Sequence, residues 1–500
     1  MMPVDARTPA GALLATLPET VLTAWSLVVL LVVAWRHRTE QDSRFVGWLT
    51  VTGILLSMGA TGWMWASGVR ADGIPHMVAL DEFRYASAML ILMISGATTL
   101  LSLRYLGRQR LLAPEYYALI LFATVGMLLM AAATDLVLIF LGLEVMSIAV
   151  YVLAGYDRFR RSSAEAALKY FLIGAFASGF FLYGIALVYG ATGQTNLVLI
   201  AAQMSGSAPS AMASLGLGML LIGFGFKVGA VPFHMWVPDV YDGAPTPVAG
   251  FMASGVKAAA FLALVRVLSQ GFPGAIALWQ PVIAVMAVVT ILVGNIVALA
   301  QHSLKRMLAY SSIAHAGYLL VPVWAGTSLG SAAVLLYLAA YCLTTLASFG
   351  ILAAIEHVGS RTVLIDDLEG LFAKRPWGAL SMGVCLLSLL GFPGTLGFIG
   401  KWYLMSAVIA QGQVILPLVV VVGSLISAGY YLPVITAMTI KPERTIEAHR
   451  QVSFSRSGRA IVAVAVIANL LFGVWPTRLL DTALKSARTL TQQVVPVADR

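Results

Sequence analysis

GMLLIGFGFKVGAVPFHMW, residues 218–236, and LSLLGFPGTLGFIGKWYLM, residues 387–405, decide how this chain is read. Each is a strongly apolar run interrupted by a proline, and each carries a lysine: Lys227 ahead of Pro232, Lys401 after Pro393. A proline inside a membrane helix removes a backbone donor and frees a carbonyl, which is tolerated only where protein or trapped water re-satisfies the freed groups. A lysine at membrane depth costs roughly 2.5–3.5 kcal/mol on insertion scales, so its presence calls for a function. Broken helices at corresponding places in two halves of a chain are the best sequence pointer to the transport site of a repeat-built membrane protein. The two breaks therefore imply a membrane protein that moves ions or protons.

Composition agrees. Of 500 residues, 60% are hydrophobic and 11% charged, where a soluble domain averages about a quarter charged. One integral membrane body follows, rather than several soluble domains. The net charge of +9 does not indicate nucleic acid, because the basic residues fall in short loops between apolar runs. Cys342 and Cys385 lie far apart in apolar segments, which suits small packed hydrophobes and indicates neither a disulfide framework nor a metal centre.

Apolar runs long enough to span a bilayer occur at 12–35, 46–68, 80–103, 113–132, 134–155, 164–190, 212–236, 243–270, 273–299, 303–325, 330–357, 378–410, 413–440 and 457–480. The expectation is an all-α integral membrane protein of about fourteen transmembrane helices. Residues Arg36–Arg38 follow the first run rather than precede it, so that run does not read as a signal peptide. One set of loops is basic: Arg36, Arg38 and Arg44; Arg108 and Arg110; Arg158, Arg160 and Arg161; Lys305 and Arg306; Arg361, Lys374 and Arg375; Lys441, Arg444, Arg450, Arg456 and Arg459. Loops 191–211 and 326–330 carry almost no charge. The positive-inside rule then puts both termini outside, periplasmic in a bacterium. A 237–242 loop falls inside yet carries Asp239 and Asp242 and no basic residue; acidic groups count little in that rule.

Helices four to eight and nine to thirteen form two five-helix blocks, each with the proline-broken member fourth. An odd number per block inserts the second upside down, which is inverted-repeat logic. The domains expected are 1–110, a three-helix segment; 111–270 and 271–440, the two repeats; and 441–500, a C-terminal helix and tail.

Glu144 stands midway along DLVLIFLGLEVMSIAVYVLAGY, where a carboxylate is costly unless paired or protonated. It either locks two helices together or forms a pair with Lys227 whose charge state changes. Lys257, in AGFMASGVKAAAFLALVRV, lies near its helix centre, too deep for its side chain to reach the surface. A buried lysine amine can gain and lose a proton near neutral pH, whereas an arginine stays charged. Three deep lysines thus favour proton transfer over structural pairing. Lys169 has Glu165 at the i−4 pairing distance and reads equally as an interfacial lysine or a proton carrier. His234, just after Pro232, can titrate and bridge water to Lys227 and Lys257, or serve as a hydrogen-bonded structural group. In HSLKRMLAYSSIAHAGY the polar residues suggest a hydrated path, with His302 interfacial and His315 deeper. No phosphate loop, dinucleotide fingerprint or cysteine cluster is present, so cofactor binding and metal binding are expected to be none in this chain.

Taken with EAALKYFLIGAFASGFFLYGIALVYGATG, FKVGAVPFHMWVPDVYDGAPTPVAGFMASGVKAAAF and QHSLKRMLAYSSIAHAGYLL, these segments resemble the subunit N family of bacterial proton-pumping NADH:quinone oxidoreductase, complex I. The resemblance runs from about residue 110 to 440, and where this chain has Lys401 the related subunit M family typically has Glu. It implies that Glu144 and Lys227 are a charge-modulating pair, Lys257 the central lysine and Lys401 the terminal lysine facing the outlet, with His234 and Lys169 also matching used positions. It implies further that flavin, iron–sulfur clusters and quinone belong to partner subunits. The partners would be neighbouring antiporter-like and small quinone-side membrane subunits in a bacterial inner membrane. A related multisubunit cation/proton antiporter or membrane-bound hydrogenase is the competing class. A sodium path, however, would want carboxylate and carbonyl ligands where lysines stand. A purely structural scaffold leaves the deep charges unexplained.

Overall fold

A computed structural model describes residues 2–4, 8–35, 40–71, 77–111, 114–205, 208–356, 363–441 and 455–492. Of the basic loop residues that set the expected orientation, Arg36, Arg38, Arg361, Arg444 and Arg450 lie outside these.

Apolar runs in lipid must satisfy every backbone group within the segment, so they fold as helices. The N-terminal segment holds α1 (Pro9–Ala15), α2 (Leu17–Trp35), α3 (Glu40–Ala66) and α4 (Glu82–Arg108). Two three-residue strands, β1 (Met2–Val4) and β2 (Val69–Ala71), pair in parallel and are the only strands among the described residues. The first block is α5 (Glu115–Ala132), α6 (Leu136–Ala154), α7 (Arg161–Thr192), a short α8 (Leu197–Gln203), the broken pair α9 (Ala211–Val228) and α10 (Val237–Gly243), then α11 (Thr246–Phe251) running on into α12 (Lys257–Arg266). The second block is α13 (Ile276–Leu299), α14 (Leu304–Trp324), α15 (Ser328–Ile355), a turn of helix α16 (Leu371–Lys374), the broken pair α17 (Pro376–Leu390) and α18 (Leu396–Ile409), and α19 (Ile415–Thr439). Last come α20 (Arg456–Val474) and α21 (Thr477–Gln492).

Twelve helices among the described residues are long and apolar enough to cross a membrane. The more polar α14 and the combined halves α17 and α18 bring the total to the fourteen expected. Two expectations need correcting. Residues 237–242 are not a loop but most of α10, the second half of the first broken helix. The run expected at 457–480 ends at Val474; Trp475 and Pro476 interrupt it, and a separate amphipathic helix follows. Proline supplies no N–H and bars its predecessor from helical geometry.

Thr246–Gly271 is wholly enclosed by protein, and α15 nearly so, while α2, α7, α19 and α20 turn much of their surface outward. Between α11 and α12 the helix widens into a π turn over Met252–Val256. Such bulges cluster at functional sites, and Lys257 is the next residue.

Candidate functional site

Both helix breaks use the same chemistry. Gly229 caps α9 at φ 72°, its N–H bonded to the Gly225 and Phe226 carbonyls; Gly391 caps α17 at φ 87°, bonded to those of Leu387 and Ser388. A side chain in that left-handed region costs about 1–2 kcal/mol, so glycine suits both ends. Across the first break Val231 N–H donates to Thr290 Oγ1 at 3.0 Å. Across the second, the Thr395 hydroxyl caps α18 by accepting from Phe398 N–H.

Lys227 lies in the last turn of α9, 2% exposed. Its amine donates to Ser147 Oγ at 2.7 Å and sits 5.5 Å from the ring centres of both Tyr151 and Tyr170. Glu144, one turn before Ser147 on α6, is half-buried and accepts from Ser178 Oγ at 2.5 Å. The expected Glu144–Lys227 pair is therefore held apart: each charge rests on its own serine hydroxyl.

Lys257, 2% exposed, donates to the Ser312 carbonyl (2.6 Å) and Ser312 Oγ (2.8 Å) on α14. Lys401, 5% exposed, donates to the Leu390 carbonyl (3.0 Å) and Ser424 Oγ (2.9 Å), its amine 4.6 Å from the Tyr318 ring centre. The Leu390 carbonyl belongs to the last residue of α17, a group without an intrahelical partner. The helix break thus supplies the acceptor for the lysine that follows it.

Between Lys257 and Lys401 stands His315, fully enclosed, with Nδ1 2.7 Å from Tyr337 Oη and Nε2 3.2 Å from Tyr431 Oη. Tyr341 stacks on the imidazole and Tyr318 meets it edge-on. Asn295 donates to Tyr318 Oη (3.0 Å) and accepts from Tyr430 Oη (2.9 Å).

The remaining candidates are placed differently. His234 is half-buried in the first break, and no hydrogen bond joins it to Lys227 or Lys257 among the described residues; its Nδ1 is buried without a hydrogen-bond partner there. Lys169 does not pair with Glu165, which is exposed one turn earlier; it bonds Asp239 on α10. Arg306, from α14, takes the other Asp239 oxygen at 3.0 Å. Burial would raise the Asp239 carboxyl, but the hydrogen bonds and charges of Lys169 and Arg306 outweigh it and hold the group below its ordinary value. Beside it, Lys305 donates to the Asp242 and Ala244 carbonyls at 3.2 and 2.6 Å, closing the C-terminal end of α10. Cys342 and Cys385 are free thiols in the interior. Among the described residues no group of three or more His, Cys, Asp or Glu side chains gathers where it could hold a metal ion.

Sequence reasoning missed Ser147, Ser312, Asp239 and the tyrosines. Ser311, His315 and Tyr318 follow helical spacing on one face of α14, a signal that was available. Tyr337 and Tyr431 sit in uninterrupted apolar runs and gave none.

Comparisons with known proteins follow the same lines. The family described as NADH:quinone oxidoreductase/Mrp antiporter, transmembrane, matches residues 133–427. NADH-quinone oxidoreductase subunit N 2 of Roseiflexus castenholzii is 43% identical over 92% of this chain and 94% of its own length. Respiratory complex I from Thermus thermophilus with bound aureothin contains a chain 35% identical, with a TM-score of 0.79, covering 94% of this chain and 100% of that one. The Mrp complex from Dietzia sp. DQ12-45-1b has a chain that superposes with a TM-score of 0.84 at 20% identity, over 97% of this chain and 100% of the other, a likeness of fold alone.

Proposed function

This chain belongs to the NADH:quinone oxidoreductase/Mrp antiporter transmembrane family, with subunit N relatives along nearly its whole length, and from that premise we propose how it works. It is the membrane subunit of an NADH:quinone oxidoreductase that conducts protons while electrons pass through other subunits. Flavin, iron–sulfur clusters and quinone reside in those partners, and this chain carries no redox centre of its own. It sits in a bacterial inner membrane beside other antiporter-like and small quinone-side subunits, with both termini on the periplasmic side. Residues 1–110 are its N-terminal segment, 111–270 and 271–440 its two repeats, and 441–500 its C-terminal part.

Glu144, Lys227, His234, Lys257 and Lys401 form the relay, with His315 and Lys169 as further carriers. The observation that carries this reading is the partner set of the three buried lysines of the relay, a fourth buried lysine, Lys305, being spent on the carbonyls at the end of α10. Each of the three relay amines rests on a serine hydroxyl, two of them also on a carbonyl, and among the described residues none on a carboxylate. A lysine kept for structure in a dry interior is best held by a carboxylate or, like Lys305, by the free carbonyls of a helix C-terminus, because an unpaired buried charge is strongly destabilising. A hydroxyl or carbonyl serves both the ammonium and the neutral amine, so these sites tolerate either state. A change arriving from the quinone side alters the Glu144–Lys227 separation, and the displaced proton moves by way of Lys257 to Lys401. Moving one charge against about 150 mV takes roughly 3.5 kcal/mol, within reach of rearranged buried charges. The antiporter reading gains nothing from the fold, which the two classes share.

Lys227→Ala and Lys257→Ala should lower proton pumping and coupled NADH:quinone turnover by about a hundredfold or more, the lower end of what a lost general acid–base group costs (about 10²–10⁴). NADH oxidation by an artificial acceptor should be unchanged. Wild-type coupled turnover in the assembled double variant rejects the relay.

A further inference from the structure

We propose that Tyr431 and Tyr337 are relay residues in their own right, dividing the interval between Lys257 and Lys401 at His315. Tyr431 carries the proton on the Lys257 side and Tyr337 on the Lys401 side. The inference rests on the reading of the two lysines as proton carriers.

The two nitrogens of His315 face different parts of the molecule. Ser312 holds the Lys257 amine, and the adjacent Ser311 hydrogen-bonds Tyr431 through their hydroxyls. Tyr431 Oη then reaches His315 Nε2 at 3.2 Å. From the opposite edge of the ring, Nδ1 reaches Tyr337 Oη at 2.7 Å. Tyr337 in turn lies against Gly400, the residue before Lys401: a Cβ placed on Gly400 would come within 2.6 Å of the Tyr337 ring. Glycine at this position lets the tyrosine settle at the base of α18. The Tyr341 and Tyr337 rings lie nearly parallel to the imidazole and Tyr318 meets it edge-on, and among the described residues its ring nitrogens bond the two hydroxyls.

Proton bookkeeping closes on this arrangement. With Nδ1 protonated, Nδ1–H donates to Tyr337 and the Tyr431 hydroxyl donates to Nε2. A proton reaching the Tyr431 oxygen from the Lys257 side releases the hydroxyl proton onto Nε2. The Nδ1 proton passes to the Tyr337 oxygen, whose own proton leaves toward Lys401. One proton enters and one leaves, and the ring ends neutral as the other tautomer. Tautomer exchange of the ring, from Nε2–H back to Nδ1–H, together with reorientation of the hydroxyls, restores the start. Phenylalanine at either position keeps the packing and cuts this path.

The test uses the assembled NADH:quinone oxidoreductase complex reconstituted in vesicles, with Tyr337→Phe, Tyr431→Phe and the double variant. Each single change should lower proton translocation and coupled turnover by about a hundredfold, the low end of what a proton-transfer group contributes. Because the hydroxyls act in series, the double variant should be no worse than the more impaired single one. Gly400→Ala, which displaces the Tyr337 ring, should match Tyr337→Phe and add nothing to it. Should one phenylalanine variant fail to assemble, the other decides. Wild-type pumping in an assembled phenylalanine variant, while Lys257→Ala is impaired, overturns the tyrosine assignment and leaves the lysine reading standing. Wild-type pumping in Lys257→Ala as well brings down both. A loss that vanishes once activity is scaled to assembled complex also overturns the proposal.

Discussion

Lys401 sits where a fixed charge and a mobile proton make different demands on a side chain. Its amine is bonded to the Leu390 carbonyl and Ser424 Oγ and lies over the Tyr318 ring, contacts that any cationic group could in part reproduce. A guanidinium would keep the charge and the ring contact but would not release its proton. If Lys401 hands protons to the outlet, Lys401→Arg should cut translocation about as deeply as loss of a general acid–base group, about a hundredfold or more. Reconstituted vesicles containing the variant complex, with assembly measured separately, give the answer; full pumping would return Lys401 to a charge-holding role. Lys227 offers an internal comparison. It precedes its break instead of following it and is held by Ser147 with no carbonyl partner among the described residues, so the two lysines are not mirror images despite the matching breaks around them.

At the scale of one element, the seven-residue half-helix α10 is one of the places where the two repeats are tied together. It follows the first break, so little of its own backbone anchors it, and three cations from neighbouring helices do so instead: Lys169 of α7, and Arg306 and Lys305 of α14. Asp239→Asn removes the carboxylate shared by Lys169 and Arg306. It should destabilise the chain by a modest amount, about 1 kcal/mol, since the pair side chains are more than a third exposed or close to it and solvent screens them. The pH dependence has a definite sign. A carboxyl held below its ordinary value stabilises the fold above the unfolded pKa of about 3.9 and loses that contribution as pH falls through the lower folded value. The melting difference between wild type and Asp239→Asn, measured in detergent, should therefore be flat from about pH 8 to 5 and shrink below about 4; a difference that fades above pH 5 would exclude Asp239 as its source. This element also marks the boundary of what the chain discloses. Breaks and deep lysines were legible because proline, glycine and charge are rare in lipid. The partners were not, because Asp239 and Lys169 are 70 residues apart and Tyr337 and Tyr431 are ordinary apolar-run residues until helices bring them to His315.

For the molecule as a whole, the fourteen spans could be read from hydropathy, but what joins the N-terminal segment to the repeats could not, since it consists of pairs far apart in the chain. Arg266, at the end of α12, donates to both oxygens of Asp81, 185 residues away, at 2.7 and 3.0 Å, and the pair is completely enclosed. Asp81 also caps α4 by accepting from Arg84 N–H, while Arg84 clasps both oxygens of Glu19 on α2. One turn beyond Arg266, Gln270 donates to the Leu490 carbonyl and so fastens α21, the helix hidden beyond Pro476. The central span, the N-terminal segment and the C-terminal helix thus meet around one buried ion pair. Such a pair is weak evidence for stability in itself, yet removing one partner leaves a buried charge uncompensated and costs about 3–5 kcal/mol. Arg266→Met should therefore lower the unfolding midpoint sharply, and adding Asp81→Asn should recover part of the loss by discharging the orphaned carboxylate. A double-mutant cycle on the purified chain, followed by thermal unfolding in detergent, measures the coupling. Additive losses would mean that Arg266 acts through packing alone, and the junction would then be held by the packing of α2 and α4 on α5 and of α21 on α4 and α15.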